Sequence, residues 1–220
     1  MGKHDQNQTI SESRESSKPL SFPFDEKKAT EVAAFFLLKA QAKRANISIL
    51  KLMKLMYLAE RESYRIYGAP MVGDSLYSLP HGPVMSTTLN LINSVPEERE
   101  GGEYWDSFIA EKGAGKYMCL KEGKLQNTDD LLQISESDVE ILENIWETYG
   151  DFSAIKLRNY THSSENCPEW EDPNGSSKPI SMETMLKSMG YQPDAIQIIC
   201  ESIQQMASTN ASLNPQIRFW

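Results

Sequence analysis

ISILKLMKLMYLAERESYRIYGAPMVGDSLYSLPHGPV, residues 47–84, joins the most apolar helical stretch of the chain to its most constrained loop. Ser48 is a natural N-cap, since its hydroxyl accepts an orphan amide of the first turn. Ile49, Leu52, Met53, Met56 and Tyr57 then recur at helical spacing. Leu50, Leu55 and Leu58 fall on other faces, so the first half is apolar nearly all round and is expected inside the domain. The second half turns amphipathic, with Glu60, Arg61, Glu62 and Arg65 expected in water and Tyr64 and Tyr67 inward. Gly68 suits the left-handed position past the helix end, and Pro70 prevents resumption. Beyond Gly73-Asp74 comes Leu79-Pro80-His81-Gly82-Pro83-Val84. Two prolines around a glycine make this too rigid for a simple linker. Gly82 precedes Pro83 and is expected extended.

Working outward, residues 25–44 read as a first helix, with Val32, Phe35, Phe36 and Leu38 on its apolar side and Asp25 and Glu26 favouring its positive end. Residues 86–94 form a short helix with Leu89, Leu91 and Ile92 apolar. The charged stretch 97–103 reads as a variable loop, followed by a helical turn anchored by Tyr104, Trp105, Phe108 and Ile109. Residues 116–120 and 124–127 around Glu122-Gly123 predict a β-hairpin, and Leu76–Leu79 a further strand. Ser135-x-x-Asp138 is an acidic capping box opening a helix that Gly150 closes. Ser153 caps another, with Ala154, Ile155 and Leu157 inward. The prolines and Asn174-Gly175 make 161–178 a loop, pinned by Trp170. Ser181 opens a helix to Met189, and Pro193 opens a last helix to about Met206. The expected fold is mainly α (α+β), a compact helical domain with a small antiparallel sheet.

Composition bounds the class. With 40% hydrophobic and 24% charged residues over 220, the chain suits one globular domain. No apolar run approaches the length of a bilayer span, and the first residues lack a signal-peptide core, so cytoplasm is the expected compartment. Three scattered cysteines without a CxxC read as reduced thiols. The net charge of −9 argues against a nucleic-acid footprint. Lys51, Lys54, Arg61 and Arg65 are interleaved with Glu60 and Glu62 and make no clean basic face. No GxGxxG or GxxxxGK phosphate loop is present.

The motif series carries a resemblance. Leu52-x-x-Leu55-x-Tyr57-Leu58-Ala59-x-Arg61, then Tyr67-Gly68-x-Pro70-x-x-Gly73-Asp74, then Pro80-His81-Gly82-Pro83-Val84, resembles the Panacea domain of SocA-like antitoxins. Tyr149-Gly150, Ser153-Ala154, Leu157 and Thr161-His162 with Trp170 are similar to that family's later segment. The resemblance spans roughly residues 25–206. It implies a non-enzymatic, cytoplasmic antitoxin of a toxin–antitoxin system, with a role such as phage defence, that binds and neutralises a cognate toxin protein. Taken with the charge and hydropathy, no cofactor, no direct nucleic-acid contact and no membrane are expected. The resemblance also divides the chain into a flexible polar arm (1–24), the domain (25–207) and a tail (208–220). Leu55, Tyr57, Arg61, Gly73, Asp74, His81, Gly82, Pro83, His162 and Trp170 are the motif residues expected to shape the scaffold or touch the toxin. Partner choice is expected to come from loops 97–103 and 161–178. A second reading within the family is an adaptor that delivers the toxin to an AAA+ protease through the N-terminal arm.

A different class remains readable from the residues. His162 and Cys167 could form a nucleophilic pair, or His81, His162 and Asp74 a metal site. Against this, Asp74 is expected to fold onto backbone amides in a turn, and the two histidines to bind main-chain carbonyls and lock loops. Met182, Met185 and Met189, at i, i+3 and i+7, are read as core filler before a partner groove.

Overall fold

The computed structural model describes residues 22–94, 96, 101–113 and 116–213. The arm 1–21, the tip of loop 97–100 and the tail beyond 213 lie outside the described residues.

The helix opened by Ser48 is the hub. It runs over Ile49–Tyr67 (α2), and the Ser48 hydroxyl accepts from the Lys51 amide while Gly68 closes it at φ +67°. Leu52, Leu55, Met56, Tyr57 and Ala59 are fully buried, so the near-continuous apolar surface is covered on all sides. At about 1.5–3 kcal/mol per large buried apolar side chain, this helix is the largest local contribution to the core. Helix α1 (Glu26–Ala42) packs beside it, with the Asp25 carboxylate capping the Lys28 amide. The remaining helices are α3 (Ser86–Asn93), α4 (Glu103–Phe108), α5 (Glu136–Tyr149), α6 (Ala154–Thr161), α7 (Met182–Ser188) and α8 (Pro193–Leu213). Helices α5, α6 and α7 surround α2. Among the described residues, no helix is long and apolar enough to cross a membrane.

Two small antiparallel sheets flank the hub. One has strand order β1-β5-β4, from β1 (Ile47–Ser48), β5 (Tyr117–Leu120) and β4 (Ile109–Lys112). The other has order β3-β2-β6, from β3 (Gly82–Met85), β2 (Leu76–Leu79) and β6 (Lys178–Pro179). The α+β class and the capping box of Ser135 and Asp138 match the sequence reading.

Several local expectations are corrected. The hairpin partner of Tyr117–Leu120 is Ile109–Lys112, not 124–127, in the register Ile109↔Leu120 to Lys112↔Tyr117. Ile109 and Met118 both have an apolar side chain to bury, and do so. The segment 124–127 has no such alternation, and Asn127 instead caps a 3-10 turn at Thr128–Asp130. The Tyr104–Ile109 anchor is therefore a short helix running directly into a strand. In α2, Glu60 is buried at 1% exposure whereas Tyr67 is 52% exposed, the reverse of their polarity. Ile155 is 62% exposed rather than inward, because a helix as short as α6 presents one face and Leu157 holds it. Helix α8 runs seven residues past Met206, to Leu213. Met182 and Met185 are buried and Met189 packs against the core, so this stripe is core, as the sequence reading prefers.

Candidate functional site

Lys54, Tyr57 and Arg61 lie at i, i+3 and i+7 of α2 and share one face. That face meets the β2–β3 hairpin and the loop after α6. Tyr57 donates its phenol to Glu169 Oε1 at 2.6 Å, and Arg61 Nε donates to the same oxygen at 2.8 Å. The Glu169 side chain is fully buried, and that of Arg61 is 17% exposed. Burial, and then the Glu169 carboxylate, push the Tyr57 phenol well above its ordinary range. With a third, longer bond from Arg61 Nη2 to Oε2 at 3.5 Å, one carboxylate thus joins the hub helix to the loop by three hydrogen bonds and an ion pair.

Lys54 carries its ammonium entirely inside the protein and donates to Pro83 O at 2.6 Å. Desolvation brings its pKa down to about 7. This contact explains Gly82. A Cβ there would lie 2.9 Å from Lys54 Nζ and 3.1 Å from Thr161 Oγ1, and the backbone sits at φ +91°. Gly82 is therefore left-handed rather than conventionally extended. The restriction that proline imposes on its predecessor disfavours the helical region; it leaves glycine free to take positive φ.

The hairpin tip is fixed from behind. Trp170 Nε1 donates to Leu79 O at 3.2 Å, and His162 Nε2 bonds Pro80 O at 3.0 Å. The imidazole of His162 lies against the Trp170 indole, their centroids 3.9 Å apart. His162 thus binds a main-chain carbonyl as expected. His81 does not share that role: it is exposed at the turn.

Asp74 bonds amides, but across a longer reach than a local turn. Its oxygens accept from the Thr87 and Thr88 amides, each at 2.8 Å, and from the Thr88 hydroxyl at 2.6 Å. It therefore serves as a remote cap for α3, at the helix end that favours negative charge. Burial raises its pKa, against these hydrogen bonds. Glu60 does the same for the loop before it, accepting from Met71, Val72 and Gly73. Gly73, at φ +74°, leaves no room for a Cβ, which would lie 2.6 Å from Pro23 O. Leu55 is pure core, and Pro83 is buried within β3.

The alternative chemistry is poorly supported by this geometry. Cys167 is fully buried. Burial, followed by the charge of Glu169, pushes its thiol up to about 12, far from the thiolate a nucleophile needs. His162 is engaged with Pro80 and Trp170. Asp74 and His81 lie beyond opposite ends of β2, and Asp74 is committed to α3. Among the described residues, no group of three His, Cys, Asp or Glu side chains is placed to hold a metal.

Four buried charges, Glu31, Lys54, Glu60 and Glu169, have no counterpart in the sequence reading. Glu169 pairs across more than 100 residues, which no local pattern reveals. Lys54 and Glu60 read as ordinary charges of an interleaved helix. The available signal was that Lys54 sits in the middle of an all-round apolar helix half.

Neither the curated proteins nor the solved structures hold a match to this chain. A family model described as "Antitoxin SocA-like, Panacea domain" matches residues 52–171, more than half of the chain. That span opens within α2 and closes just after Glu169 and Trp170, so it contains the whole Lys54–Tyr57–Arg61–Glu169 cluster and the hairpin it supports. The chain belongs to the SocA-like antitoxins with a Panacea domain.

Proposed function

We propose that this protein is an antitoxin that neutralises one cognate protein toxin by binding it directly. The observation that carries this reading is the family match over residues 52–171. The site geometry is in keeping with it. Lys54, Tyr57, Arg61, Asp74 and Glu169 are all paired internally, holding loops in place instead of lining a reaction cleft. A binder needs this kind of stiff frame, because surfaces ordered in advance lose less entropy on association. The net charge of −9 suits a toxin with a basic substrate groove, since complementary potentials speed encounter and select partners.

The test is co-expression with the product of the adjacent open reading frame. Rescue of growth together with a stoichiometric complex on co-purification is the expected result. Toxicity that persists with both proteins present and folded refutes the reading for that partner. Deleting residues 1–21, which leaves Phe22 and Phe24 packed on the core, separates direct neutralisation from delivery to an AAA+ protease. Neutralisation by occupancy survives the deletion, whereas delivery through that arm is lost and toxin levels recover.

A further inference from the structure

The β2–β3 turn is held more firmly than a hairpin requires. Leu79 pairs with Gly82, so the loop is the two residues Pro80 and His81. His81 does not have positive φ, whereas Gly82 does. Proline first and a left-handed glycine just after the loop are the features of a type I turn followed by a G1 bulge. Such a turn closes a four-residue strand pair by itself. Here the carbonyls of Leu79, Pro80 and Pro83 are also bonded, by Trp170, His162 and Lys54 respectively. These three donors come from α2 and from the loop whose Glu169 is locked to Tyr57 and Arg61.

All this leaves the one polar side chain of the turn unused. His81 is exposed at the outermost position while Gly82 and Pro83 are buried behind it. The turn contains no carboxylate and no other titratable group, so the imidazole is its sole polar side chain. A rigid scaffold that carries an outward-facing polar residue on a short loop is the usual arrangement of a recognition element. Histidine also combines an apolar ring with a directional N–H donor.

We propose that the Pro80–His81 turn is the surface that enters the toxin, with the His81 imidazole donating to an oxygen acceptor in a pocket whose apolar wall packs on Pro80. This rests on the antitoxin reading and names the contact that reading leaves open. The partner it fits is a folded protein with a concave acceptor site, because a fixed, narrow turn complements a cleft better than a flat face.

The test uses the full chain and the product of the adjacent open reading frame, with binding measured by calorimetry on the purified proteins and neutralisation by growth. His81→Ala is expected to weaken the complex about thirtyfold, the size of an interface hot spot, and to restore toxicity. Its thermal midpoint should match the parent, since the side chain supports nothing internally. His81→Gln, which keeps a donor, should hold affinity within about threefold of the parent, and Glu111→Ala on the other sheet should leave it unchanged. A wild-type complex that His81→Ala leaves intact overturns this inference alone. Failure of the wild-type protein to bind or rescue overturns the antitoxin reading for that partner and this inference with it.

Discussion

Glu169→Ala is the sharpest test of the architecture, because one buried carboxylate serves two donor residues of the hub helix. Its loss strands the Tyr57 phenol, fully buried and bonded at 2.6 Å. An unsatisfied buried hydroxyl costs about 1–3 kcal/mol. It also leaves the Arg61 guanidinium without its partner at 2.8 Å. Breaking a buried ion pair from one side costs about 3–5 kcal/mol, and the 17% exposure of Arg61 places this case at the lower end. The two overlap on one oxygen, so the total expected is about 4 kcal/mol, out of roughly 5–15 for a domain. With a urea dependence of about 2.5 kcal/mol/M, the midpoint should fall by about 1.5 M. The assay is urea unfolding followed by circular dichroism. Tyr57→Phe supplies the internal control. In the parent it should cost about 1 kcal/mol, and in the Glu169→Ala background it should be neutral or stabilising, since the orphan hydroxyl disappears. A loss below about 1 kcal/mol for Glu169→Ala would refute the reasoning. So would a Tyr57→Phe effect that is equal in both backgrounds.

Other consequences are equally direct. Gly82→Ala forces a Cβ to 2.9 Å from Lys54 Nζ at φ +91°, and a loss of about 1–3 kcal/mol in denaturant unfolding is expected from backbone strain and crowding together. Lys54 releases its proton near pH 7 when folded, against 10.5 as the ordinary value. Between these limits the unfolded chain holds more protons, so stability rises with pH. The slope from pH 7 to 8.5 should approach 1.4 kcal/mol per unit, and Lys54→Met should flatten it in urea titrations. Asp74→Ala removes the acceptor of two α3 amides and a hydroxyl; a loss of about 2 kcal/mol by thermal or urea unfolding is expected. Cys167, its thiol pushed up to about 12, should resist alkylation at pH 8 in the native protein and react at the rate of a free thiol in urea.

The capping signals of α2 and α5 were legible because they act over three or four residues. Ser48, Gly68, and the Ser135 and Asp138 pair stand where the local pattern places them. The motif series likewise carried the family and its α+β class. The β4–β5 hairpin is not legible in local pattern because strand pairing depends on which apolar residues reach the core, and Ile109 displaces the mostly polar 124–127 segment. Periodicity places Tyr67 and Ile155 inward, but exposure at helix ends is set by what packs there, and both are exposed.

The sequence by itself determined the hub helix, its caps, the constrained Pro80–Pro83 segment and the membership of the chain, all of which rest on short-range spacing. Tertiary structure alone decided which charges are buried. Lys54, Glu60 and Glu169 look like solvated residues until partners distant in sequence close over them. The physical reason is that a charge enters a low-dielectric interior only where its hydrogen bonds are met, and those partners come from segments that only folding brings together. The same packing assigned His162 and Trp170 to the frame and left His81 outside it.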